Sequence, residues 1–287
     1  MTNEASMQNN KPTLKQRFEN EWEFVYPDSI DNEEVDEGFW AAVELVGYDD
    51  KRAEMIFKSI VSDHPFHIDA HNYLSIVFRN QNRDFESLLT AEKAYSLGKE
   101  CISGDFEYGK DKLMWEYLDN RPFLRACHIY GLECVHAKKP ESAMEVFNEL
   151  LTFNKNDNQG VRYLLLEIYL ASEKYTKARE LLSRYPSDYS IEFKFASVSL
   201  DVLEGNLEQA DKKLKEAVKV NRFFIDEVVR KKHRKPAPDV LDGQPYCGEV
   251  IARGSVQEAC DYWSRNKAFY KNEKVLDYYK TRGKTPK

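Results

Sequence analysis

A chain of 287 residues with 42% hydrophobic and 32% charged residues holds enough apolar material for one elongated domain or two compact ones under a well-solvated surface. Its formal net charge of -7 (pI about 5.6) speaks against a protein whose main business is nucleic acid. No run approaches the roughly 18 apolar residues of a membrane span, and Met1–Pro12 is polar, without the apolar centre of a signal peptide. The five cysteines (Cys101, Cys127, Cys134, Cys247, Cys260) are odd in number and form no CxxC pair, so free thiols and a cytoplasmic, reducing location are expected.

In chain order, residues 1–13 are polar and read as disordered. Leu14–Tyr26 reads as a short amphipathic helix, with Phe18, Trp22 and Val25 on one face. The acidic stretch from Asp28 to Glu37 reads as a solvated linker, so that 14–38 is helix plus linker. Helices are then expected at Phe39–Val46, Lys51–Asp63, Asp69–Asn82 and Phe85–Ile102. His64-Pro65 ends the second of these, because a residue before proline leaves the α region. Residues 103–120 break the pattern as an aromatic-rich insertion (Phe106, Tyr108, Trp115, Tyr117). Pairs resume at Phe123–Ala137 with Pro140–Phe153, Gln159–Ser172 with Thr176–Tyr185, and Ser190–Leu203 with Leu207–Val220. Pro140 suits a first helical position. Phe223–His233 and Val256–Tyr279 make a C-terminal helical extension, 223–279, separated by a Pro/Gly segment and followed by a basic tail, 280–287. Period-2 alternation bounded by turns is scarce, so strands are not expected.

An apolar phrase recurs along these helices. It reads Ala53-Ile56-Phe57-Ile60-Val61 and Ala143-Val146-Phe147-Leu150-Leu151, then Ala178-Leu181-Leu182 and Ala210-Leu214-Ala217-Val218. The last three alanines are 35 and 32 positions apart, and Ser87 stands 34 after Ala53. A repeat near 34 residues made of helix pairs is the mark of a tetratricopeptide solenoid. The small residue lets the partner helix approach and the larger ones fill the groove between helices. In the unit that starts at Leu124, Gly131, Ala143 and Phe147 fall on the small, small and aromatic slots, and Tyr169 takes an aromatic slot in the next. The fold class expected is therefore all-α, a tetratricopeptide-like helix-pair solenoid over 39–222. An irregular helical bundle is the alternative.

In such a stack the first helix of each pair lines a groove. Its inward positions are Asp69, Asn72, Ile76 and Arg79; then Arg125, His128, Leu132 and Val135; then Gly160, Tyr163, Glu167 and Leu170; then Glu192, Phe195, Ser199 and Val202. Mixed aromatic, aliphatic and charged groups suit a peptide or helix of another protein, whose identity the sequence does not carry. The same residues would equally serve to fill the groove. A clamp for acidic C-terminal tails is disfavoured, because His128, Leu132 and Glu167 stand where such clamps need lysine and asparagine.

Three segments go beyond generic repeats. They are Trp115 with Asn120-Arg121-Pro122-Phe123-Leu124-Arg125-Ala126, the junction Asn154 to Leu165, and Ala217-Val218-Lys219-Val220-Asn221 with Phe223–Val229 and Gly254 to Ala259 and Trp263. Together they resemble uncharacterised tetratricopeptide proteins similar to the C-terminal region of the suppressor of tumorigenicity seven family, over about residues 50–280. The chain departs from that family at Lys155 and Arg222, where the family tends to have proline, and it lacks the membrane segments of the animal members. The resemblance implies a scaffold without catalytic residues or cofactor. At the junction itself, Asp157 or Asn158 is placed to cap the next helix and Arg162 to reach a carboxylate.

Few constellations carry chemistry. His67 and His71 are i, i+4, with His64 nearby, but no zinc-protease glutamate or fourth ligand accompanies them, so no metal is expected. Cys127, Cys134 and His128 share one helix; the two cysteines read as buried small hydrophobes, and a Cys/His catalytic pair would need a base placed across the fold. The cluster Arg230-Lys231-Lys232-His233-Arg234-Lys235 reads either as a helix C-terminus rich in cations or as an adaptor for RNA or anionic lipid. No phosphate loop and no GxSxG turn is present, so no enzyme is expected.

Overall fold

The structure, a computed structural model, describes residues 10–236 and 251–282 together with the backbone of 240–241 and 244–245. The chain divides into two compact units, residues 1–162 and 163–287. In the first unit, β1 (Thr13–Phe18) and β2 (Glu21–Val25) precede α1 (Glu33–Val43), α2 (Asp50–Asp63), α3 (Ile68–Asn80) and α4 (Asp84–Cys101). Then come β3 (Lys112–Leu113), a 3-10 turn at Leu118–Asn120, α5 (Arg121–His136) and α6 (Pro140–Phe153). The boundary falls in the first turn of α7 (Val161–Ala171). The second unit continues with α8 (Tyr175–Arg184), α9 (Ile191–Leu203), α10 (Leu207–Val220), α11 (Phe224–Val229), the antiparallel pair β4 (Val240–Leu241) and β5 (Gln244–Pro245), α12 (Val256–Tyr270) and α13 (Glu273–Arg282).

One local device builds the helix pairs in both units. Asn82, Lys138, Glu173 and Gly205 all take the left-handed region, with φ of 59, 57, 56 and 83°. In each case the next N–H reaches back five residues: Arg83 to Phe78, Lys139 to Cys134, Lys174 to Tyr169 and Asn206 to Asp201, at 2.8–2.9 Å. This is the Schellman closure, which satisfies the orphan carbonyls at the end of the first helix and turns the chain into the second. The recurring small residues lie at the helix contacts: Ala53, Ala143, Ala178 and Ala210 are fully buried. Ser87 holds the same slot at the cost of a hydroxyl, and that hydroxyl is satisfied: Ser87 Oγ donates to Ser75 O and Ser75 Oγ to Ser87 O, each at 2.9 Å.

The structure corrects five expectations. Leu14–Tyr26 is not a helix but a β-hairpin, in which Leu14 faces Phe24 and Gln16 faces Trp22, with the turn made by Asn20 at φ 60°. Trp22 and Phe24, two apart, are the buried residues, so the period is that of a strand; Phe18, on the supposed helical face, is exposed. Thr13 opens that hairpin and Pro12 before it is buried, so the stretch expected to be disordered ends earlier; residues 1–9 lie outside the described residues. The acidic linker contains the start of α1. Asn32 accepts from Val35 N at 3.1 Å, and Glu33, Glu34 and Asp36 sit in the first turn, where the helix dipole favours negative charge. The extension 223–279 holds shorter helices than expected. α11 ends at Val229, and Val256–Tyr279 divides at Asn272, whose side chain accepts from Lys274 N at 3.1 Å and caps α13. Asn266, with non-helical backbone inside α12, returns its side-chain amide to Tyr262 O. Of the expected basic tail, 280–282 belong to α13 and 283–287 lie outside the described residues.

The insertion has a structural task. Its strand β3 pairs with β2 in parallel, Trp22 opposite Leu113. Asn120, fully buried, accepts from Phe24 N (3.0 Å) and donates to Trp22 O (2.9 Å) and Met114 O (3.0 Å). Phe24 then packs on Phe123 with ring centroids 5.5 Å apart. The hairpin is thereby fastened to the first turn of α5.

Candidate functional site

In the first unit, the inward positions of α3 and α5 are tied by two ion pairs. Arg125 grips Asp69 with two nitrogens, Nε to Oδ1 at 2.9 Å, and Arg79 grips Glu133 the same way, Nε to Oε1 at 3.0 Å. The carboxylate side chains are buried (9% and 5% exposed), whereas the guanidiniums are 31% and 28% exposed. The acids therefore act as footings; Arg79 Nη1 is also paired with the exposed Asp84 at 2.6 Å, so it is Arg125 that presents its outer edge. Asn72 is fully buried and donates to Asp69 Oδ1 (3.0 Å) and Pro122 O (2.8 Å), so it belongs to the footing and not to an open groove. His128 is half-buried, 3.4 Å from the amide of Gln159, and burial lowers its pKa. Ile76 and Leu132 are half-buried and Val135 is exposed, giving apolar surface on the same helices as the arginines. Glu133 was not singled out by sequence reasoning. Its one signal was a carboxylate between Leu132 and Cys134 in an otherwise apolar run.

The second unit differs. Phe195 is fully buried beneath the chain's own C-terminal helices, 4.5 Å from Phe224 and 6.3 Å from Tyr279 by ring centroids. Tyr262 donates to Glu192 O at 3.2 Å, and Ser199 and Tyr279 share a hydroxyl contact at 3.0 Å. Arg265 of α12 pairs with Glu167 of α7 and, at 3.2 Å, with Glu192 of α9. Burial pushes the Glu192 carboxyl up to about 7 and lowers the Arg265 pKa, so this contact carries a desolvation cost. Tyr163 donates to Asp188 at 3.0 Å and packs edge-on to Phe193. Glu167, Glu192 and Phe195 are thus a docking surface for the extension, not an open groove as the repeat count implied. The tyrosines of that extension (Tyr262, Tyr270, Tyr279) are among the largest fully buried side chains described.

The histidines are occupied locally. His67 Nδ1 accepts from Ala70 N at 3.1 Å as the cap of α3, and His71 Nε2 donates to Pro65 O at 3.1 Å. Burial lowers both pKa values, that of His71 to about 4. The unfolded chain takes up a proton near pH 6.5, whereas the folded chain resists until about 4. Stability from His71 is therefore complete above 6.5 and is lost as pH falls from 6.5 to about 4. The integrated effect is about 3 kcal/mol. Urea unfolding of His71→Gln at pH 7 and pH 4.5 should show a pH dependence smaller by about 2 kcal/mol than that of the unsubstituted chain. An unchanged dependence would exclude His71 as the source.

At the junction before α7, Asp157 accepts from Val161 N (2.7 Å) and Arg162 N (3.0 Å) and pairs with Arg162 Nη1 (2.8 Å). The basic cluster lies just beyond α11; Arg230 is extended and the chain bends at Lys231 and Lys232. Arg230 pairs with Glu227 at 2.8 Å. His233 stacks on Trp263, centroids 3.5 Å apart at 10°, and meets Glu227 at 2.7 Å. Lys231, Lys232, Arg234 and Lys235 are exposed.

Helix pairs closed by a common left-handed turn, with small residues at the contacts, define an all-α, tetratricopeptide-like protein, and among the described residues no helix is long and apolar enough to cross a membrane. The family model described as transcriptional repressor TCF25 matches residues 22–284, and the chain belongs to this Tcf25 family. This is a different family from the suppressor of tumorigenicity seven proteins expected from the sequence segments, and the match does not bear that finer resemblance out. Comparison with curated proteins finds no match. Among solved structures the chain is similar to YrrB, a tetratricopeptide-repeat protein with an unusual peptide-binding site, at 15% identity over 63% of this chain and 84% of that one (TM-score 0.47). MamA protein matches at 14% over 64% and 92% (TM-score 0.47), and the Naa15/Naa10 complex bound to HypK-THB at 16% over 64% of this chain and 25% of the matched chain (TM-score 0.46).

Proposed function

We propose that this chain is a non-catalytic scaffold that binds a peptide or helix of another protein on the α3–α5 face of its first unit. The observation that carries the reading is the pair of half-exposed arginines, Arg79 and Arg125, held in place by buried carboxylates beside Ile76, Leu132 and Val135. A guanidinium already fixed in its geometry loses little entropy on binding, and arginine beside apolar surface is the usual composition of an interface hot spot. The outer edge of Arg125 is cationic, while Arg79 already meets Asp84, so the partner segment carries an acidic side chain opposite Arg125 among apolar ones. The family's description as a transcriptional repressor gives the setting: a scaffold that assembles proteins which silence transcription. A reducing compartment, cytoplasm or nucleus, suits the free thiols of Cys101, Cys127, Cys134 and Cys260.

The test is quantitative recovery of partners on tagged wild-type chain and on Val135→Glu, a change at an exposed position that leaves the footing intact. The acidic side chain faces the acidic partner, and recovery of the specific partner should fall about tenfold or more with an unchanged melting temperature. Equal recovery on both would move binding away from this face.

A further inference from the structure

We infer that residues 230–235 form a site for the phosphodiester backbone of a nucleic acid, bound without sequence preference. Six residues carry five lysines and arginines on an otherwise acidic chain. Their arrangement is built: α11 stops at Val229, Arg230 and His233 both engage the buried Glu227, and the His233 ring lies flat on Trp263 of α12. These contacts pin the middle of the segment to the fold and leave Lys231, Lys232, Arg234 and Lys235 exposed, none with a carboxylate partner within ion-pair distance among the described residues.

Among the described residues the neighbouring acids do not cancel the site. Glu227 is taken by Arg230 and His233, Asp261 by Arg265, and Glu258 by Asn221 and the Gly254 amide; Asp226 is the exposed one. The chain bends at Lys231 and Lys232, so the four exposed cations lie within the roughly 13 Å that an extended segment of this length would cover. Duplex nucleic acid carries one phosphate per about 1.7 Å of axis, enough to meet all four at once.

A membrane surface offers anionic groups too, but a polybasic patch alone holds a bilayer only marginally and needs a second, apolar anchor. Among the described residues from 222 to 236 no large apolar side chain is exposed. The observations therefore favour the nucleic acid.

The experiment uses the full chain and fluorescence anisotropy with a mixed-sequence 20-nucleotide RNA, the matching DNA duplex, vesicles of phosphatidylserine and phosphatidylcholine, and poly-glutamate. Dissociation constants for the oligonucleotides should lie near 10 µM at physiological salt, with a slope of log affinity against log salt of about -3 for four contacts on single-stranded RNA. Replacing Lys231, Lys232, Arg234 and Lys235 by glutamine should weaken binding at least tenfold and flatten the slope. A charge-matched control, Lys15, Lys51, Lys212 and Lys215 to glutamine, all at exposed positions, should retain the site. Loss of binding in the control to the same degree, vesicles or poly-glutamate bound as tightly as the oligonucleotides, or no oligonucleotide binding at all would overturn the assignment.

Discussion

Asn120→Ala should destabilise the first unit by about 3 kcal/mol and lower its melting temperature by roughly 10 °C. The side chain is fully buried and makes three hydrogen bonds, one accepted from Phe24 N and two donated, to Trp22 O and Met114 O. Alanine removes all three and strands a buried N–H and two carbonyls, and each unsatisfied buried group costs about 1–3 kcal/mol. The damage is local first, because the amide joins the hairpin to the insertion and to α5. Hydrogen exchange at the Phe24 amide should accelerate at least a hundredfold, well beyond the change in α6. A loss under 1 kcal/mol, or exchange that rises evenly over the unit, would show that the hairpin is held by Trp22 and Phe24 packing alone.

Gly131→Ala should cost about 2–3 kcal/mol, although alanine is the better helix former by about 1 kcal/mol. An ideal Cβ on Gly131 would lie 2.1 Å from Phe147 Cε1 and within 2.7 Å of two further ring carbons. Phe147 is fully buried, so the ring cannot retreat without opening the α5–α6 contact. Shrinking the ring should rescue the clash. The double variant Gly131→Ala, Phe147→Leu should be at least 1 kcal/mol more stable than the sum of the two single losses, measured by urea unfolding. Strict additivity would mean that the helices separate freely. The same arrangement recurs at Gly98, where a Cβ would meet the Phe123 ring at 2.0 Å.

These two positions differ in how visible they were. Gly131 and Phe147 stood on small and aromatic slots of a repeat, and such slots are periodic because every helix pair meets its neighbour in the same way. Asn120 stood in the insertion, where nothing recurs, and its partners Phe24, Trp22 and Met114 lie 96, 98 and 6 positions away. Phe18, Trp22 and Val25 satisfied a helical spacing as well as Trp22 and Phe24 satisfied a strand's. Five residues cannot separate the two periods without the surface they pack on.

The periodic part of this molecule was legible before any coordinates: where helix pairs begin and turn, which small residues lie between them, and that Asp157 and Arg162 belong to a junction. Those are short-range matters, settled by side-chain spacing and by hydrogen bonds spanning a few residues. Whether an inward position is open or covered is a long-range matter. Phe195, Glu192 and Glu167 lie on the inward face that their spacing assigned, yet Tyr262, Tyr279 and Arg265, 70 to 98 positions further along, lie over them. Arg125 keeps an exposed edge because Asp69 supports it from below, whereas Arg79 sits between Glu133 and Asp84. Burial of one segment by another depends on chain closure over tens of residues, and no local pattern encodes which of several apolar faces the returning chain will cover.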